Sequence, residues 1–184
     1  IEAFVQSNAR YMVFPLQMAN DFQIRAYSDY DSLEQAIDEV VASFASHAPE
    51  DMSLIIKLHP LDPGLTNWRS ICYKRAKSYA VTDRVHFIDG GSLDYLIAHC
   101  EGVVTINSTV GIWSLRQNKP TIALGEAVYK IEGLTHAGTL NQFWCSPLLP
   151  SPSLCRSFFR ALAAGIQIRG VYYNQPGLGI AVEQ

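Results

Sequence analysis

The sequence predicts an α/β fold, a doubly wound parallel sheet with helices on both faces, and three observations predict it. Short apolar runs and amphipathic stretches alternate as strand, helix, strand, helix along the chain, and right-handed crossovers leave few other ways to pack such a series. Two of the apolar runs, Leu54–Leu58 and Gly102–Ile106, stop abruptly in polar residues, as strands do where they open on the ligand crevice of an α/β sheet. With 184 residues, 48% of them hydrophobic, the chain can bury one good core and at most a small appendage.

Tyr11 to Gln17 reads as the first strand, with Pro15 near its carboxyl end where a missing N–H is tolerated. Met18 to Tyr30 is polar and is expected to be a long loop. Asp31 or Ser32 caps a helix whose apolar positions Leu33, Ile37, Val40, Val41 and Phe44 fall at helical spacing before Pro49. Leu54–Leu58 is the second strand, broken by Pro60, Pro63 and Gly64. Trp68, Ile71, Cys72, Arg75 and Tyr79 mark a helix through Ala80, and Val85–Ile88 is a third short strand. Ser92 caps a helix over Leu93–His99 ahead of the fourth strand, Gly102–Ile106. A helix over Val110–Gln117, a turn at Lys119-Pro120 and a fifth strand, Thr121–Leu124, complete the alternation. Tyr129 to Ser146 is expected to be a loop, and a Pro-flanked helix runs from about Ser153 to Ala164. The pattern assigns nothing to the tail.

A net charge of −3 argues against a nucleic-acid partner, which needs clustered Lys and Arg, but leaves room for a small anionic ligand. No apolar run reaches the roughly 18 residues of a membrane helix, and the first six residues do not make a signal peptide. The expectation is a soluble, intracellular protein, and the start without Met makes a fragment of a longer chain plausible. Cys72, Cys100, Cys145 and Cys155 form no CxxC pair, so reduced structural thiols are expected and a metal is not. The chain also lacks GxGxxG after the first strand, a P-loop and a GxSxG elbow.

Period-two alternation puts Lys57 and His59 on one side of the second strand end, with Pro60 stiffening the turn. A strand-end His bonded to a carbonyl and a Lys that snorkels to water account for the spacing equally well. Asn107, Ser108 and Thr109 stand between a buried strand and a helix, where unsatisfied amides favour an anion; by itself a plain Ser or Thr N-cap is the simpler account. Gly111 allows close approach of a ligand or another backbone. Glu126 at the fifth strand end is placed to accept from ribose hydroxyls, though a lone Glu is more often just solvated. Gln17, Asn20, Asp21 and Gln23 are candidates for sugar hydroxyls or simply a polar loop. His47, His86, His99 and His136 have no evident partner and read as structural.

An ordered set of short motifs resembles the capsule polysaccharide biosynthesis and export family, which is associated with Kdo transferases. The set comprises Pro15-Leu16-Gln17 with Asp21 and Gln23, Lys57-Leu58-His59-Pro60, Asn107-Ser108-Thr109-Val110-Gly111, Ala123-Leu124-Gly125, and Gly133-Leu134-Thr135 followed by Phe143-Trp144. The resemblance implies the carboxyl-terminal, nucleotide-binding half of a two-domain GT-B glycosyltransferase. Residues 1–165 would be a Rossmann-like domain binding a CMP-activated sugar, and 166–184 a tail of unassigned structure. His59 and Pro60 would form a His-Pro element and Ser108 and Thr109 a hydroxyl element on the CMP phosphate; Lys57, Asn107, Glu126 and Gln17 join them as candidate substrate-binding residues.

The implied partners are CMP-Kdo as donor substrate, a lipid-linked saccharide acceptor and a facing Rossmann-like domain, with no separate cofactor. The implied location is the cytoplasm, with peripheral association at the inner membrane. The family's catalytic carboxylate belongs to the other half, so the chain supplies no named catalytic residue. Two other readings stay open: a non-catalytic polysaccharide export or assembly module, and a UDP-sugar transferase or epimerase-like domain.

Overall fold

A computed structural model describes residues 9–165 of the chain, so the expectations placed on residues 1–8 and on the tail 166–184 lie outside the described residues. A five-stranded parallel sheet has the order β3-β2-β1-β4-β5, formed by β1 (Arg10–Pro15), β2 (Met52–Lys57), β3 (Val85–Ile88), β4 (Gly102–Thr105) and β5 (Thr121–Ala123). The chain winds outward from β1 through β2 to β3, then returns to the other side of β1 for β4 and β5. That reversal is the topological switch of a doubly wound sheet, the fold expected from the alternation.

Alternation along the strands sorts the core into two layers. Met12, Phe14, Leu54, Ile56 and Val104 face one side, where α2 (Leu33–His47) lays down Ile37, Val40, Val41 and Phe44. Tyr11, Val13, Ile55 and Val103 face the other, against Leu96 and Ile97 of α4 (Leu93–His99). Both faces of the central strands are therefore dry, which is why those strands read as near-continuous apolar runs. The helix α3 (Trp68–Ser78) covers the β2–β3 side through Trp68, Cys72 and Ala76.

Caps fix the helix starts. Ser32 accepts from Gln35 N at 3.3 Å, which makes Ser32 the cap, while Gln35 Oε1 accepts from Asp31 N at 2.9 Å and so ties down the residue before it. Ser92 accepts from Tyr95 N at the start of α4. The stretch Met18 to Tyr30 is not a continuous loop: Asp21 caps a short helix, α1 (Phe22–Ala26), which buries Ile24. Tyr129 to Ser146 likewise contains α6 (Leu140–Phe143), started by a capping box between Thr139 and Gln142. Both are too short for apolar periodicity to reveal.

The chain divides into two compact units, Ile1–Ser151 and Pro152–Gln184. In the second, α7 (Pro152–Gly165) begins with proline at its first position, where the missing N–H costs nothing, and its Phe158 and Phe159 rings sit 5.5 Å apart. Among the described residues no helix is long and apolar enough to cross a membrane.

Candidate functional site

The carboxyl ends of β1 and β4 separate at the switch point, and the residues that follow them are tied together across it. Gln17, buried at 5% exposure, donates through Nε2 to Asn107 Oδ1 at 2.9 Å and to Asp21 Oδ2 at 3.0 Å, and its Oε1 accepts from Asn107 N at 3.1 Å. Asn107 Nδ2 in turn donates to the Gln23 carbonyl at 2.8 Å. Both amide hydrogens of Gln17 are thus spent on the protein, and the Gln17–Asn107 pair is a clasp that holds two loops in register. Asn107→Ala should cost about 1–2 kcal/mol in chemical denaturation, because it strands a buried Gln17 amide; an unchanged midpoint would show that the clasp contributes nothing.

Around this clasp lies an open cleft of about 1030 Å³, lined by Gln17, His59, Asn107, Ser108, Thr109 and Glu126 from four strand ends, with Phe22, Tyr27, Ile112 and Val128 as its apolar wall. Six of the eight candidate substrate-binding residues line it. Lys57 and Pro60 do not. Lys57 is the last residue of β2, paired with Pro15 and Ile88, and its Nζ donates to the Leu58 carbonyl at 3.2 Å. Burial holds its pKa below the ordinary lysine value, with the Asp89 charge opposing. The alternation that put it beside His59 stops where the strand stops, so the two side chains do not share the cleft.

Pro60 acts through the turn. Asp62 N donates to His59 O at 3.0 Å, closing a turn with proline at its second position. Leu61 N donates to His59 Nδ1 at 3.1 Å, so the neutral imidazole carries its proton on Nε2 and offers that N–H to the cleft. Asp62 then accepts from Gly64 N and from the indole of Trp68, which anchors the turn to α3.

The segment after β4 differs from expectation in an instructive way. Asn107 N donates to Gln17, Ser108 N to Thr105 Oγ1 at 3.2 Å, Val110 N to Ser108 Oγ at 3.2 Å and Gly111 N to Ser108 O at 3.0 Å. These amides at the start of α5 (Val110–Arg116) are therefore committed to protein acceptors rather than open to an anion. What the segment presents is hydroxyl: Thr109 is exposed and makes no capping bond, and Ser108 accepts from Val110 while its own proton stays available.

One residue with no sequence signal shapes the cleft. Tyr129, buried at 1% exposure, donates its hydroxyl to the Ser108 carbonyl, and burial raises its pKa well above the ordinary phenol value. A Cβ on Gly111 would lie 2.4 Å from its ring, so Gly111 admits a side chain, not a ligand or a second backbone. Gly125 performs the same service for the Tyr27 carbonyl, which a Cβ would meet at 2.6 Å. Glu126 follows it, exposed, with Lys130 Nζ 2.9 Å from its Oε1.

Of the other polar candidates, Asp21 and Gln23 brace the clasp and Asn20 lines the cleft rim. His47 and His99 each turn Nδ1 to a carbonyl one helical turn back. Among the described residues no three His, Cys, Asp or Glu side chains converge as a metal site, and Cys72, Cys100, Cys145 and Cys155 are free thiols.

Residues 2–173 match the family described as capsule polysaccharide biosynthesis protein. The chain is 39% identical over 89% of its length to the capsule polysaccharide export protein KpsS of Escherichia coli, of which it covers 42%. It is 36% identical over 90% of its length to the capsule polysaccharide modification protein LipB of Neisseria meningitidis serogroup A, covering 40% of that protein. The chain thus spans about two fifths of these relatives. Among solved structures, Thermosulfurimonas dismutans KpsC, a beta Kdo 2,7 transferase, is similar in fold with a TM-score of 0.50 at 23% identity, over 77% of this chain and 45% of that one.

Proposed function

The chain belongs to the capsule polysaccharide biosynthesis protein family, and from that premise we propose that its switch-point cleft is the donor site of a GT-B glycosyltransferase, taking a CMP-activated Kdo. The observation that carries this reading is the convergence of His59, Ser108, Thr109 and Glu126, from the loops after β2, β4 and β5, on one cleft large enough for a nucleotide sugar.

In this reading the His59 Nε2–H and the Ser108 and Thr109 hydroxyls donate to the CMP phosphate. His59 and Ser108 are held in place before the donor arrives, by the Leu61 bond to His59 and the Val110 bond to Ser108, so they stabilise the charge that grows on the departing phosphate with little reorganisation. Glu126 accepts from ribose hydroxyls, and Tyr27 and Phe22 give the base an apolar wall. Lys57, buried at the end of β2 and outside the cleft lining, contributes as a nearby positive charge rather than as a contact. The remaining three fifths of the relatives' length is where this reading puts the facing domain, the catalytic carboxylate and the grip on a lipid-linked saccharide acceptor, with the enzyme working in the cytoplasm at the inner membrane.

The test is calorimetry on the intact protein with CMP and with UDP. CMP should bind and UDP should not, and His59→Ala should weaken CMP binding by about 10-fold or more, as expected for a lost hydrogen bond to a charged group. Binding of neither nucleotide would favour an export or assembly module without a donor. Preference for UDP would move the chain to the UDP-sugar enzymes.

A further inference from the structure

Asp62 does not line the cleft, yet it holds the turn that carries His59. Apolar packing does not hold that turn, because Leu61 and Leu65 are 72% and 90% exposed. What anchors it is one carboxylate. Asp62 Oδ1 accepts from Gly64 N at 2.9 Å, where the backbone is left-handed at φ +72°, and Oδ2 accepts from the Trp68 indole at 3.0 Å. Hydrogen bonds to an ionised acceptor are the stronger kind. Trp68 is 5% exposed and belongs to the main core at the start of α3, so the carboxylate joins a surface turn to a fixed point. Directly before Asp62, the Leu61 amide donates to His59 Nδ1 at 3.1 Å, and Asp62 N closes the turn on His59 O at 3.0 Å.

From this chain of bonds we infer that Asp62 is the positioning residue of His59, setting through the Leu61 amide which ring nitrogen bears the proton. The use of that N–H on a phosphate rests on the donor reading; its placement does not. An imidazole that accepts at Nδ1 is neutral and keeps its N–H at Nε2. Once the Leu61 amide lets go, Nδ1 is free to take the proton instead. The nitrogen facing the cleft would then present a lone pair, which repels a phosphate oxygen where the N–H would bond it. Pro60 sets φ at the second position of the turn but fixes neither Leu61 nor the residues after it. That task falls to the Asp62 carboxylate, with Trp68 as its support in the core.

Long-range proton–nitrogen NMR on the ¹⁵N-labelled full chain, without nucleotide and in alkaline solution where imidazoles are neutral, reads the two His59 nitrogens, assigned by their loss in His59→Ala. In the unsubstituted chain Nδ1 should show as the acceptor and Nε2 as the protonated nitrogen. Asp62→Ala should raise the share of the Nδ1–H form about fivefold, as expected for one lost hydrogen bond, and Asp62→Asn, which keeps one of the two acceptors, should fall between. A ring that keeps its original nitrogen pattern in both variants overturns the inference, whatever the cleft binds. Calorimetry with CMP is the second arm. Asp62→Ala should weaken binding by about fivefold, and in a His59→Ala background it should weaken it no further. A further loss in that background would mean that Asp62 does not act through His59, and would equally overturn the inference. If CMP binds none of these proteins while the ring still answers to Asp62, the donor reading falls and the positioning of His59 stands.

Discussion

Gly111→Ala should destabilise the chain by about 1–3 kcal/mol and abolish ligand binding in the cleft. The new methyl would stand 2.4 Å from the Tyr129 ring and 2.6 Å from its hydroxyl, so the ring must leave, and with it goes the bond that holds the Ser108 carbonyl. Ser108 and Thr109 would then lose the alignment on which the donor reading depends. Thermal unfolding should register about 2–4 °C for each kcal/mol in a chain of this size. Truncating the ring in the same molecule, as Gly111→Ala with Tyr129→Ala, should remove the clash, making the two changes strongly non-additive. Additive losses would mean that Gly111 matters for some reason other than the ring.

Trp144→Ala should be the most damaging single change away from the cleft, at about 3–5 kcal/mol. The indole is 1% exposed and stands edge-on to Phe44 of α2 at 5.3 Å and to Phe143 at 6.2 Å. Its Nε1–H donates to Ser43 Oγ at 2.8 Å, and Ser43 passes a hydrogen on to Asn141 Oδ1 at 2.7 Å. The residue therefore closes the loop after β5 onto the long helix through both packing and a short polar chain. Trp144→Phe should fall between wild type and alanine, keeping most of the burial but ending the indole bond. Urea denaturation distinguishes the three, and a loss below about 1 kcal/mol for the alanine variant would contradict the packing account. Nucleotide affinity of the folded fraction should be unchanged, since Trp144 does not line the cleft.

The strand ends at 54–60 and 102–111 were legible because apolar runs broken by Pro60 and by Asn107-Ser108-Thr109 are local features of the sequence. Strand order is not local, so the switch point came only with the structure, and with it the clasp between Gln17 and Asn107, two amides 90 positions apart. Lys57 does not share the cleft with His59 because the alternation that pairs them runs two residues beyond the end of the strand. The amides near Ser108 looked open because the sequence cannot say that Thr105, Gln17 and Ser108 itself would take them. Nothing near Gly111 points to Tyr129, whereas the Thr139–Gln142 capping box and the Asp21 cap were readable in principle and hidden by the shortness of the helices they start. His136 shows no partner in the sequence, and the structure places its ring edge-on to Phe143 with both nitrogens sealed from solvent.

The strand β5 has a further consequence. Val103 N donates to Pro120 O, which turns the Thr121 carbonyl to the outer margin of the sheet, and there the His136 N–H takes it at 2.8 Å. A strand of three residues with its first outward carbonyl already occupied gives a stray polypeptide little to zip onto. The loop that carries His136 thus also blunts one margin against runaway self-assembly, and loosening it should first appear as turbidity in concentrated solution.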